Sequence, residues 1–181
     1  MLPNYLQPFY FAYGSNLNAH DWNRSGFRPP FDDVFEKIGN AWLGDHAPAF
    51  TYYSGVRNGG VLDVVERTGC YVPGVLFRLK NLRGWKALCL KEGAPYGMTM
   101  KRVLTSGNKF VPAFTFTIRT EYYGGDFVAP SEEYVNIVRK GLRRHQLPTD
   151  VLDAVASGEP APTSIPSSVT EHCGRVIAVT E

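Results

Sequence analysis

Phe9-Tyr10-Phe11-Ala12-Tyr13-Gly14-Ser15-Asn16-Leu17 is an aromatic strand that runs straight into a Gly-Ser-Asn turn. Strand-forming aromatics need a pleated, buried surface. Gly-Ser-Asn, by contrast, offers permissive backbone angles, free N–H groups and short polar side chains. N–H groups fanned around such a turn form a nest for a carboxylate or an oxyanion, so chemistry is expected at this junction. The same residues also read as an ordinary strand exit, with Asn16 capping a following helix.

Working outward, 17–25 reads as a short helical or turn segment carrying His20, Asp21 and Trp22, broken by Pro29-Pro30. Two strands are expected next, 38–43 and 49–53, separated by a Gly-Asp-His-Ala-Pro turn. Residues 59–65 and 71–79 are rich in β-branched residues around Glu66-Arg67-Thr68-Gly69 and read as a hairpin. In 81–91, Leu82, Trp85, Leu88 and Cys89 fall at helical spacing behind Asn81 as cap, which delivers Glu92 at the helix end. A second hairpin, 98–104 with 110–120, turns at Ser106-Gly107-Asn108. Loop-like 122–130 precedes a helix capped by Ser131 that runs to about His145, and a short helix covers 149–156. The Ser/Pro-rich stretch 157–168 reads as a surface connection or flexible tail. Many strands and few helices predict an α+β fold, and 181 residues suit one domain, 1–181.

Composition narrows the function classes. Nineteen Lys and Arg against 17 Asp and Glu give a formal charge of +2, scattered except at Arg143-Arg144-His145, so no nucleic-acid partner is expected. That basic cluster suits a helix C-terminus. Cys70, Cys89 and Cys173 are odd in number without Cys-x-x-Cys spacing, which predicts free thiols and a cytoplasmic setting. No apolar run is long enough to span a bilayer, and the first residues do not read as a signal peptide. His20, His46, His145 and His172 lack metal-ligand spacing, so neither a metal nor a cofactor is expected. Ser15 lies in no Gly-x-Ser-x-Gly elbow.

Phe11-Ala12-Tyr13-Gly14-Ser15-Asn16-Leu17 resembles the signature of the γ-glutamylcyclotransferase family, including its γ-glutamylamine branch. Leu90-Lys91-Glu92-Gly93, followed by Tyr96-Gly97-Met98, is similar to the segment that carries the family's catalytic glutamate. Gly59-Gly60-Val61, 72–79, Ser131-Glu132-Glu133-Tyr134 and Gly174-Arg175-Val176 fall in the family's order, so the resemblance spans most of the chain. It implies a small mixed β-barrel with flanking helices. The implied activity is cyclisation of a γ-glutamyl peptide or amine, releasing 5-oxoproline and the free amine or amino acid without a cofactor.

Such a cyclisation asks for little covalent help, because the α-amine and γ-carbonyl share one short chain and orientation alone can contribute about 7–11 kcal/mol. The amine must lose a proton and the leaving nitrogen must gain one. The resemblance assigns both transfers to Glu92; residue by residue, Glu92 is otherwise a charged residue beside the Gly that ends a helix. It assigns substrate binding to Tyr10, Phe11, Ala12, Tyr13, Gly14, Ser15 and Asn16, and to Tyr134, which equally suits core packing. Phe114 or Phe116 stands where the family commonly has a tyrosine, and Thr99 or Met100 where an aromatic often follows; both departures bear on which amine leaves. A catalytically silent binding domain, and a biosynthetic enzyme removing a γ-glutamyl protecting group, remain alternatives. The partner is then a small molecule, with a homodimer left open.

Overall fold

The computed structural model describes residues 9–24, 26 and 29–163. Expectations for the first eight residues, for 164–168 and for Gly174-Arg175-Val176 lie outside these.

Five strands close into a mixed barrel: β1 (Phe9–Ala12), β2 (Phe35–Ser54), β3 (Gly59–Leu79), β4 (Tyr96–Thr105) and β5 (Phe110–Ile118), in the order β1-β3-β2-β4-β5. Neighbours are antiparallel except β1 and β5, which meet in parallel at Tyr10 and Phe114. The helices are α1 (Ala19–Arg24), α2 (Phe31–Val34), α3 (Leu82–Glu92), α4 (Glu132–Arg144) and α5 (Asp150–Ala156). The architecture is the α+β barrel expected.

Two local readings change. The strands expected at 38–43 and 49–53 form the single strand β2, and the expected 59–79 hairpin is the single strand β3. Each half of β3 pairs with β2 along its whole length, from Phe35 opposite Leu79 to Ser54 opposite Gly59. The turn chemistry at both sites is a shared bulge. Gly44 pairs with Tyr71 and His46 with Glu66, leaving Asp45 opposite Arg67 to Cys70; Asp45 (φ 55°) and Gly69 (φ 78°) take left-handed backbone, and the Asp45 carboxylate accepts from Gly69 N–H at 3.0 Å. A bulge bends a strand without ending its pairing, which proximity in sequence cannot distinguish from a hairpin turn.

Helix ends follow their caps. The Asn81 side chain accepts from Gly84 N–H (2.8 Å) and the Ser131 hydroxyl from Tyr134 N–H (3.3 Å). Asn16 is not a helix cap: Ser15–Leu17 form a 3-10 turn, and Asn18 caps α1, accepting from His20 and Asp21 N–H at 3.1 and 3.2 Å. The 3-10 turn moves the cap on by two residues and leaves the Asn16 side chain to other partners.

The core runs from Trp22, Phe31, Phe35 and Phe77 at one end to Phe50, Val138 and Leu152 at the other. Ala161, in the stretch expected to be a surface connection, is buried beside Cys70. Helix α4 lies across the 3-10 turn at Gly141, where a Cβ would stand 2.6 Å from the Leu17 Cβ and 3.1 Å from its carbonyl carbon. Gly141→Ala therefore gains about 1 kcal/mol of helix propensity but overpacks against backbone, which costs about 1–3 kcal/mol. Urea denaturation should show a net loss of about 0–2 kcal/mol.

Candidate functional site

A cavity of about 780 Å³ opens where β1, the 3-10 turn, the C-terminal end of α3 and the start of α4 meet. A volume of this order suits a small-molecule ligand. Gly14, Ser15 and Asn16 line one side, and their N–H groups donate to no other described residue. Glu92 enters from α3. Its helix ends there because Gly93 (φ 71°, ψ −175°) adopts a backbone that only glycine takes readily, with its N–H on the Cys89 carbonyl at 3.2 Å. Gly93→Ala should cost about 1–3 kcal/mol in thermal or urea unfolding and should swing Glu92 out of register.

The Glu92 carboxylate accepts from the Asn16 amide and from the Tyr10 hydroxyl (3.4 Å), and Asn16 also donates to the Tyr10 oxygen (2.9 Å). Burial raises the Glu92 pKa above its ordinary value, while Lys91 and these two hydrogen bonds pull it back. Tyr10, Tyr13 and Tyr96 are raised well above the ordinary phenol by burial, and Tyr134 is pushed up to about 12, so all four stay protonated near neutrality. The carboxyl group thus sits among neutral donors, a setting that suits proton transfer.

Of the residues picked from sequence, Tyr10, Tyr13, Gly14, Ser15, Asn16, Glu92 and Tyr134 line this one cavity. The Tyr134 hydroxyl accepts from Leu62 N–H at 3.3 Å and lies 3.8 Å from where a Gly14 Cβ would be, so it packs in the core and faces the pocket at once. Phe11 and Ala12 do not line it. Both are fully buried: the Phe11 ring and the Ala12 carbonyl cover Gly74 of β3, filling the space its absent side chain leaves. Strand alternation alone sends Phe11 to the opposite face from Tyr10. Phe116 lines the cavity, whereas Phe114 packs against Trp85 at 5.5 Å between ring centroids. Tyr122 stacks edge-on against Tyr52 (6.0 Å), and Gly124 N–H bonds to the Thr51 carbonyl (3.4 Å), which holds the 122–125 segment on β2.

Sequence reading missed a charged group beside the pocket. Asp21 on α1 receives both Arg57 guanidinium nitrogens (3.0 and 2.8 Å) and the Lys91 ammonium (3.5 Å); Lys91 also donates to the Ser15 hydroxyl at 3.2 Å. Burial alone would raise Asp21, but Arg57 and Lys91 outweigh it and hold its carboxyl below the usual range. Burial lowers Lys91, opposed by Glu92 and Asp21. Arg57, at the β2–β3 turn, lies over the Tyr134 ring (5.4 Å), and its carbonyl accepts from Ser131 at 2.6 Å. Asp21, Arg57 and Lys91 are far apart in the chain, and although Lys91 lies in the Leu90–Gly93 segment, nothing local links it to Asp21 or Arg57.

Among the described residues, no cluster of three or more His, Cys, Asp or Glu is placed to hold a metal ion, and no helix is long and apolar enough to cross a membrane.

No protein-family model matches the sequence, and no curated protein matches it. Solved structures do. A γ-glutamyl cyclotransferase shares 21% identity at a TM-score of 0.69, covering 93% of this chain and 99% of the other. A Homo sapiens protein described as uncharacterised shares 20% at 0.68, with 92% and 98% covered. A glutathione-specific γ-glutamyl cyclotransferase from yeast shares 14% at 0.58, with 84% and 96% covered. The likeness runs over 84–93% of this chain, and the chain has the γ-glutamyl cyclotransferase-like fold.

Proposed function

We propose that this protein cyclises a γ-glutamyl peptide or γ-glutamyl amine, releasing 5-oxoproline and the free amine or amino acid. The observation that carries this reading is the convergence on one cavity of the part-buried Glu92 carboxylate and the Gly14–Asn16 turn, whose N–H groups donate to no other described residue. In this reading the N–H groups hold the glutamyl α-carboxylate or the oxyanion that develops on the γ-carbonyl. Glu92 takes a proton from the α-ammonium, the amine attacks the γ-carbonyl to close the five-membered ring, the protonated Glu92 gives its proton to the departing nitrogen as the C–N bond breaks, and the surplus proton on the ring nitrogen leaves with the released amine as its ammonium. Neutral Tyr10 and Asn16 orient the carboxylate through both stages. The likeness to a γ-glutamyl cyclotransferase and to the glutathione-specific cyclotransferase from yeast supports the class of reaction. Phe116 and Tyr96 form part of the remaining wall and would contact the leaving group.

The reaction needs no metal or cofactor. A 5-oxoproline release assay over a panel of γ-glutamyl peptides and amines tests the proposal, with turnover of at least one class expected. Saturable binding of γ-glutamyl compounds without release would instead make the protein a silent small-ligand-binding domain.

A further inference from the structure

The end of α3 holds the Gly14–Asn16 turn twice. Consecutive side chains of the helix, Lys91 and Glu92, grip consecutive side chains of the turn, Ser15 and Asn16: the ammonium on the Ser15 hydroxyl at 3.2 Å, the carboxylate on the Asn16 amide. Lys91 is nearly enclosed, its side chain 7% exposed, and lies against the Trp22 ring at 5.9 Å. A buried ammonium persists only with a counter-charge. Asp21 provides it from α1 and is itself held by both guanidinium nitrogens of Arg57 from the β2–β3 turn.

We infer that Lys91 is a positioning residue for Glu92: its ammonium, held by Asp21 and bound to the Ser15 hydroxyl, locks the anion-binding turn against α3 and sets a positive charge on the residue next to the carboxylate. This rests on the cyclotransferase reading for its catalytic consequence, but the electrostatic coupling stands without it. Burial among tyrosines favours the protonated carboxyl, and a cation close by favours the carboxylate that can serve as a base. The charges and titratable groups around Glu92 are Tyr10 and Tyr13 at β1, Asp21 and Arg57 through Lys91, Cys89 and Lys91 on its own helix, Tyr96 on β4 and Tyr134 on α4. Lys91 heads the interactions that hold Glu92 down, and the phenols remain neutral. The opposing negative charge of Asp21 is already shared with Arg57, which leaves Lys91 a net positive influence on its neighbour.

The test is the titration of the Glu92 carboxyl carbon by NMR in wild type, Lys91→Met and Lys91→Arg, assigned by its absence in Glu92→Gln. Lys91→Met leaves Asp21 paired with Arg57, so the fold should persist; Lys91→Gln serves as a second neutral variant with the same expectation. Both should move the Glu92 titration upward, and Lys91→Arg should restore it. In parallel, the acid limb of kcat/KM should move upward with the titration in both neutral variants and return in Lys91→Arg. An unmoved Glu92 titration in both neutral variants overturns the inference. A rise in KM alone, with the titration unmoved, would make Lys91 a substrate contact and overturn it equally. Because the titration is read without turnover, failure to detect 5-oxoproline in wild type would sink the cyclotransferase reading and leave the Lys91 coupling to be decided on its own.

Discussion

Glu92→Gln should lower 5-oxoproline release by about 10²–10⁴-fold, the range for loss of a general base, while the fold survives. Glutamine keeps the shape and can still meet the Tyr10 hydroxyl, but it neither accepts nor returns a proton. Unchanged turnover would place the proton carrier elsewhere. The pH dependence sharpens the test. Burial raises Glu92 above its ordinary value of 4.5, so the acid limb of kcat/KM should lie above that value in wild type and disappear in the variant. Stability carries the same signature. The folded state holds the Glu92 proton more tightly than the unfolded chain, so stability should decline as pH rises from 4.5 through the raised folded value. Glu92→Gln should remove that decline, measurable by urea denaturation across the pH range.

The largest stability effect is expected at Asp21. Its carboxylate is 2% exposed and is paired with two cations, Arg57 at 2.8 Å and Lys91 at 3.5 Å, of which Lys91 is itself buried. Asp21→Ala removes the carboxylate that both contact and leaves Lys91 only the charge of Glu92. Breaking a buried ion pair by removing one partner costs about 3–5 kcal/mol, far above the 0–1 kcal/mol of an exposed pair such as Arg24–Glu133. Chemical denaturation should therefore show Asp21→Ala severely destabilised and Glu133→Ala near wild type. The acid dependence follows from the sign of the shift. Asp21 is held below its ordinary 3.8, so its contribution is complete above that pH and is lost as pH falls from 3.8 through the lowered folded value. A loss of Asp21→Ala no greater than that of Glu133→Ala would mean the three charges stabilise nothing.

What the sequence determined by itself was set by local rules. The aromatic strand breaking into Gly14-Ser15-Asn16, the Asn81 and Ser131 caps and the β4–β5 turn at Ser106-Gly107-Asn108 all depend on residues within a few positions of each other, and they formed where their chemistry dictates. The position of Glu92 at a helix end was legible for the same reason, but its role was not: only the resemblance to the cyclotransferase family singled it out. Tertiary structure decided the rest. Whether Glu66 to Gly69 turns a hairpin or bulges within β3 depended on which partner offered the longer ladder, and that partner, β2, is fixed by the barrel. Which face of β1 meets the pocket depended on Gly74 leaving room for the Phe11 ring. The grouping of Asp21, Arg57 and Lys91 required α1, the β2–β3 turn and α3 to converge. Charges separated along the chain carry no local mark of their partners; their interaction energy depends on separation and burial, which only the closed barrel sets.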